Sequence, residues 1–343
     1  MLLVKVIELN SHKIKNAGKG KLIEKLRRKI RKIWVTKLRN TRVYKYCYVS
    51  YWHLLWVSSN EHANKDNLYF AARPNPGAGI GHQIANWIAG YWFAKQFGIH
   101  FAHIPFFSDR WEEFLGFYQG ERLLSELEHN GYKTVRIQKF DENNHREWGR
   151  IEHIISSYAG KKIVFLAEQD QFYHDQFGVM EEMKEKFYSA SARRKDQLIF
   201  DKEAYNIALH VRRGDIMENF EKADSNVAMR YQGNDYFLQA LKTAIECLKD
   251  KKNVQIYLFS QGKKTDFSEF NGIDNLHLCL DMSAQDSFLH MVYADALITS
   301  KSSFSYKPAL LNRGIKFCPS GFWHGYPQTS DWVLLDEEGN LAK

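Results

Sequence analysis

The stretch Ile207-Ala208-Leu209-His210-Val211-Arg212-Arg213-Gly214-Asp215 sets two adjacent guanidiniums at the end of an apolar run. Such a run reads as a buried strand of an α/β sheet. Arginine cannot lose its charge and carries a rigid fork of donors. A pair of arginines at a strand end therefore suits the grip of a diphosphate, in the crevice where α/β sheets bind their ligands. The other reading is a solvated charge cluster at a strand-to-loop junction. The histidine, glycine and aspartate make the stretch more specific than a bare Arg-Arg pair.

Working outward, strand and helix alternate. After the pair, the pattern predicts a helix over 235–248, a strand over 254–259, and a short strand over 276–280. It then predicts a helix over 285–293, a strand over 296–299 and a helix over 306–312. Before it, strands are expected at 68–72, 99–104, 134–137 and 162–167, with helices over 82–97 and 179–195. Apolar strands alternating with helices imply parallel sheets covered on both faces. The expected fold class is α/β, with lobes at 67–200 and 201–343 and a cleft between them, after a basic N-terminal helical segment at 1–66.

At 343 residues the chain is long enough for two such cores. Its net charge of +8 is unevenly placed. Residues 1–66 hold 16 Lys/Arg against 4 Asp/Glu, a net of +12, so the remainder carries −4. A mildly acidic body argues against nucleic acid as a partner. Cys47, Cys247, Cys279 and Cys318 are widely spaced and form no CxxC pair. They read as free thiols in a reducing compartment, with neither a zinc site nor a disulfide framework.

The N-terminal segment has neither a signal-peptide pattern nor an apolar run long enough to span a bilayer. Its Leu22, Ile23, Leu26, Ile30 and Ile33 share one helical face among lysines and arginines, and Tyr44, Tyr46, Tyr48, Tyr51, Trp52 and Trp56 follow. That pattern suits an anionic membrane contacted through residues 13–57, or equally a charged helix packed on the body through its apolar stripe. A cytoplasmic protein, peripheral on the inner membrane face, is the expected location.

Three loops accompany the arginines. Gly77, Gly79 and Gly81 lie between a strand and a helix, where amides face an anion or a sugar. The spacing matches neither a Walker loop nor the dinucleotide fingerprint. Ser300-Lys301-Ser302-Ser303-Phe304-Ser305 follows a strand and opens a helix, so its hydroxyls can cap the helix and donate to phosphate. Phe259-Ser260-Gln261-Gly262 ends another strand, placed to read a base or ribose. Trp323, His324, Tyr326 and Trp332 either contact acceptor sugars or pack in the core.

The order of Gly81-His82-Gln83, then His210-x-Arg212-Arg213-x-Asp215, then Ser302-Ser303-Phe304-Ser305 resembles the α1,2/α1,6-fucosyltransferase superfamily, over about residues 67–318. The resemblance implies a GT-B fold of two Rossmann-like lobes facing a central cleft. It also implies GDP-fucose as donor, transfer to a glycan hydroxyl with inversion, and no metal or other cofactor. By position it sets Arg213 on the diphosphate with Arg212 in support, and His210 beside the nucleoside. Ser302, Ser303 and Ser305 fall near the phosphates, and Gly79, Gly81, His82 and Gln83 on the opposite wall. Ser260 and Gln261 stand where the α1,6 enzymes carry an aspartate-rich base-reading loop. Inversion calls for a carboxylate to take the acceptor's proton. Asp215, Glu218, Glu221 and Asp224 are candidates, Asp215 with a second reading as a salt bridge to the arginines. The acceptor partner is an oligosaccharide or lipid-linked glycan. Competing readings are a transferase using another nucleotide sugar and a non-catalytic glycan-binding module, which predicts no nucleotide binding.

Overall fold

The structure is a computed structural model that describes residues 26–27, 29–57, 64–74, 77–167, 176–214 and 230–342. Two parallel sheets organise it, as the strand–helix alternation predicts. The first has the order β3-β2-β1-β5-β4, with β1 Leu68–Ala72, β2 His100–His103, β3 Arg122–Leu123, β4 Lys133–Arg136 and β5 Ile163–Ala167. The second has the order β11-β10-β9-β6-β7-β8. Its strands are β6 Tyr205–His210, β7 Val254–Ser260, β8 Leu276–Leu280, β9 Ala296–Ile298, β10 Ile315–Pro319 and β11 Trp332–Leu335. The helices, in chain order, are α1 Val49–Trp56, α2 Ile80–Gln96, α3 Asp109–Leu115, α4 Leu124–His129, α5 His145–Ser156, α6 Met180–Ser189, α7 Asn234–Cys247, α8 Ala284–Tyr293 and α9 Ser303–Leu311.

Each sheet belongs to its own compact unit. In the first, β1 and β5 are buried at every position, which is why both read as unbroken apolar runs. Phe93, Phe97, Phe140 and Trp148 stack into an aromatic core beside them, with Phe97 and Trp148 at 4.6 Å. Residues 26–57 join this unit. Arg39 forks onto Glu147 at 3.0 and 3.1 Å, the Lys139 amide donates to the Tyr44 hydroxyl, and His53 stacks on Tyr158 at 3.8 Å.

In the second unit, alternation along β6 divides its side chains between two faces. Ile207, Leu209 and Val211 enter a core with Phe237, Ala240, Leu241 and Ala244 of α7. Ala208 and His210 face the other way. This unit comprises 76–88, 105–119 and 174–343. The expected boundary near residue 200 does not describe it, since the glycine loop and two further segments pack with the C-terminal sheet. Strands β3, β10 and β11 are additions to the expected set. The final expected helix begins three residues earlier than its apolar pattern, at Ser303, so the serines themselves form its first turn. The helix expected over 179–195 ends at Ser189 and gives way to a 3-10 turn over Ser191–Lys195.

Candidate functional site

Three of the stretches singled out by sequence, around Arg212-Arg213, Ser260-Gln261 and Ser302-Ser303, lie at the C-terminal ends of β6, β7 and β9. At the end of β6, His210 is buried and its Nδ1 lies 2.8 Å from Ser300 Oγ, just beyond β9. Burial, with Arg212 and then Arg213 beside it, pushes the imidazole down to about 3, so it stays neutral at physiological pH. Its ring meets Phe304 at 5.5 Å.

The serine loop is a self-bonded turn. Ser302 caps α9, its Oγ accepting from the Phe304 amide at 3.2 Å. Ser305 Oγ receives the Ser300 amide at 3.2 Å and lies 3.2 Å from Ser300 Oγ. Ser305 is fully buried, so it holds the loop's shape from within; Ser303 is half-buried. The Phe304 amide is taken by Ser302 Oγ and the Ser305 and Tyr306 amides by Ser302 O, so what this nine-residue helix offers an anion is the positive end of its dipole.

The two arginines are not equivalent. Arg213 is 7% exposed. Its Nη1 donates to Arg212 O at 2.8 Å and Gln232 O at 3.0 Å, and its Nη2 to Asn234 Oδ1 at 2.6 Å. Tyr231 and Phe237 flank the guanidinium at 5.1 and 5.9 Å from their ring centroids. Burial lowers its pKa, opposed by Tyr231, Glu269 and Asp266. Asn234 bridges the guanidinium to Glu269, donating from Nδ2 to Oε2 at 3.0 Å. Arg213, expected on a diphosphate, is thus bound into the protein on α7's side of the sheet. Arg212 is half-buried, and strand parity sets it on the face of His210 and the serine loop.

Further contacts close the rim. Gln232, buried, accepts the Lys301 amide at 2.8 Å, tying the segment before α7 to the serine loop. Ser260 Oγ donates to Val211 O at 2.7 Å, tying β7's end to the arginine strand. Gly214, at φ +66°, lies so close to Gln261 that a Cβ would sit 2.1 Å from its Oε1. Gln232, Asn234 and Tyr231 carried no sequence signal, because a neutral side chain that holds an arginine forms no motif with it.

The helix after the glycine loop begins at Ile80, two residues earlier than expected. Gly81 lies in the first turn of α2, and a Cβ on it would meet the backbone of Ser303 at 2.8 Å, so the two helix starts abut inside the same unit. Gln83 is buried and satisfied by backbone, accepting the Phe107 amide at 2.9 Å and donating to Ala78 O at 2.8 Å. His82 and Gly79 are exposed. Asp215 and Glu218, with Glu221 and Asp224, lie outside the described residues. Phe322, Tyr326 and Trp332 pack around Tyr306, whereas Trp323 is exposed. Among the described residues no cluster of His, Cys, Asp or Glu could hold a metal, and no disulfide forms.

No protein-family model matches the sequence, and no curated protein matches it. Among solved structures the chain is similar to POFUT1 in complex with GDP, at 12% identity and a TM-score of 0.41 over 76% of this chain and 99% of that one. It is similar to NodZ α-1,6-fucosyltransferase soaked with GDP-fucose, at 14% identity and 0.41 over 74% and 95%. It is also similar to E. coli heptosyltransferase WaaC with ADP, at 12% identity and 0.40 over 80% and 94%. At such identities and scores, none of these likenesses bears on which residue does what here.

Proposed function

We propose that this protein is a glycosyltransferase that binds the diphosphate of a sugar nucleotide between Arg212 and the serine loop. GDP-fucose is the donor we assign, and a glycan hydroxyl the acceptor. The observation that carries the reading is the convergence of the β6 arginines, the β7 end and the first turn of α9 on one rim. As the sugar–phosphate bond breaks, negative charge grows on the diphosphate. A guanidinium and the positive end of a helix beside it hold that state more strongly than the ground state. His210, neutral and fixed by Ser300, adds a hydrogen bond without adding charge.

In this reading Arg212 meets the diphosphate and Arg213 keeps the strand end in shape, the reverse of the roles the motif order implies. One of Asp215, Glu218, Glu221 or Asp224 takes the acceptor proton. Replacing each by its amide is expected to lower kcat sharply at one position and leave nucleotide affinity there unchanged. A second reading, another nucleotide sugar, is favoured by Ser260-Gln261-Gly262 in place of an aspartate-rich loop.

Calorimetric titration with GDP, UDP, CDP and ADP tests both. Binding of GDP in preference supports the donor assignment; preference for another base selects the second reading. If none binds at millimolar concentration, the transferase reading fails and the scaffold is a glycan-binding module.

A further inference from the structure

We infer that residues 26–57 form a docking surface for an anionic lipid bilayer. Two arrangements of the apolar stripe were open in the sequence: against the body or against a membrane. In the described part of the stripe Leu26 is 57% and Ile33 44% exposed, and Ile30 between them is half-buried. Across the described residues there are 13 exposed large hydrophobics, and seven lie between Leu26 and Val57. A folded surface scatters such residues singly, so this concentration marks an interaction face.

The segment's packing shows why the apolar side chains remain outside. Tyr44, Tyr48 and Tyr51 are its buried side, fastened by Arg39 to Glu147 and by His53 to Tyr158. Beside that buried side, α1 presents the half-buried Trp52 with Leu55 and Trp56 at i+3 and i+4, Leu55 51% and Trp56 80% exposed. Trp52 donates from Nε1 to Tyr46 O at 2.9 Å, and the two rings lie 5.5 Å apart, so Tyr46 extends the same patch. Lys45 sits over the Tyr46 ring at 5.3 Å. Tryptophan and tyrosine with one wet edge suit the headgroup level of a bilayer.

Charge selects the occupant. From Leu26 to Val57 the sequence carries nine Lys/Arg and no Asp/Glu. A neutral protein groove would match the apolar side chains but not the cations. Nucleic acid would match the cations but gain little from Leu26, Ile33 and Leu55. An anionic bilayer surface matches both. The surface belongs to the first unit and the nucleotide rim to the second, and the inference stands whatever donor the protein uses.

The test is sedimentation of the full chain with phosphatidylcholine vesicles, with and without about 30 mol% phosphatidylglycerol. We expect binding to the anionic vesicles that weakens as salt rises, and little to neutral ones. Leu55→Ser/Trp56→Ser and, separately, Leu26→Ser/Ile33→Ser each reduce partitioning by at least about tenfold, with the melting temperature unchanged. Bilayer insertion also predicts quenching of tryptophan fluorescence by brominated lipid, diminished in Trp56→Ser. Serine variants that bind like the parent, with salt alone abolishing binding, would reduce the surface to a general polyanion site and overturn the inference. Equal binding to neutral and anionic vesicles, or to neither, overturns it as well.

Discussion

Arg212 and Arg213 are adjacent, identical in chemistry and separated by strand parity. Arg213 follows Val211 and Leu209 to the α7 side, where its donors meet Gln232 O and Asn234 Oδ1. Arg213→Ala strands those acceptors, at a cost of about 1–3 kcal/mol each where buried. We expect its melting temperature to fall by at least about 5 °C. Arg212→Ala is expected to lose nucleotide affinity on the order of ten- to several-hundred-fold. The reverse pattern would return the diphosphate to Arg213. His210 supplies a pH dependence. Its folded pKa is depressed, so below about 6.5 the unfolded chain takes up a proton that the folded site refuses until about 3. This contribution to stability is whole above that window and lost as pH falls through it, at up to about 1.4 kcal/mol per pH unit. Guanidinium titrations at pH 7, 6, 5 and 4 check it: His210→Gln should flatten the slope, and an unchanged slope would mean His210 is not held neutral.

Elements are positioned by close contacts between loops. The first turn of α2 meets the first turn of α9 at Gly81, where a Cβ has no room beside Ser303. Gly81→Ala therefore shifts that turn and is expected to cost about 1–3 kcal/mol and weaken nucleotide binding. Gly79→Ala meets nothing within 4 Å and should leave both nearly unchanged, which separates crowding from loss of backbone freedom. Ser302→Ala removes the cap of α9, a loss of about 1 kcal/mol by thermal unfolding. The strands legible in the sequence are β1, β2, β4, β5, β6, β7, β8 and β9, and β1 and β5 read most plainly because every position in them is apolar and buried. β10 was not legible because Lys316 interrupts it. That lysine is buried, its Nζ donating to Gly314 O at 2.9 Å and pairing with Asp331, a partner 15 residues away. β3 has only two residues, too few for any periodicity to register.

For the molecule as a whole, the basic segment is both charge reservoir and packing element. Removing residues 1–63 would take away Tyr44, Tyr48 and Tyr51, all buried, together with the Arg39–Glu147 fork. A melting temperature lower by on the order of 10 °C is expected from differential scanning calorimetry of that truncation. Point substitutions at Leu55 and Trp56 leave this buried side intact and are the cleaner probe of the exposed one. No helix among the described residues is long and apolar enough to cross a membrane.

The amino-acid sequence by itself determined the α/β alternation, the strand-end loops that carry the rim, and the concentration of charge in the first 66 residues. These follow from side-chain periodicity and composition, which are local. Tertiary structure alone decided that Arg213 is held inside, that Gly81 abuts Ser303, and that Leu26, Ile33 and Trp56 stay uncovered. Each depends on what lies across a sheet or beside a loop, tens to hundreds of residues away along the chain. Hydrogen-bond geometry and excluded volume act between such neighbours only once the chain has folded.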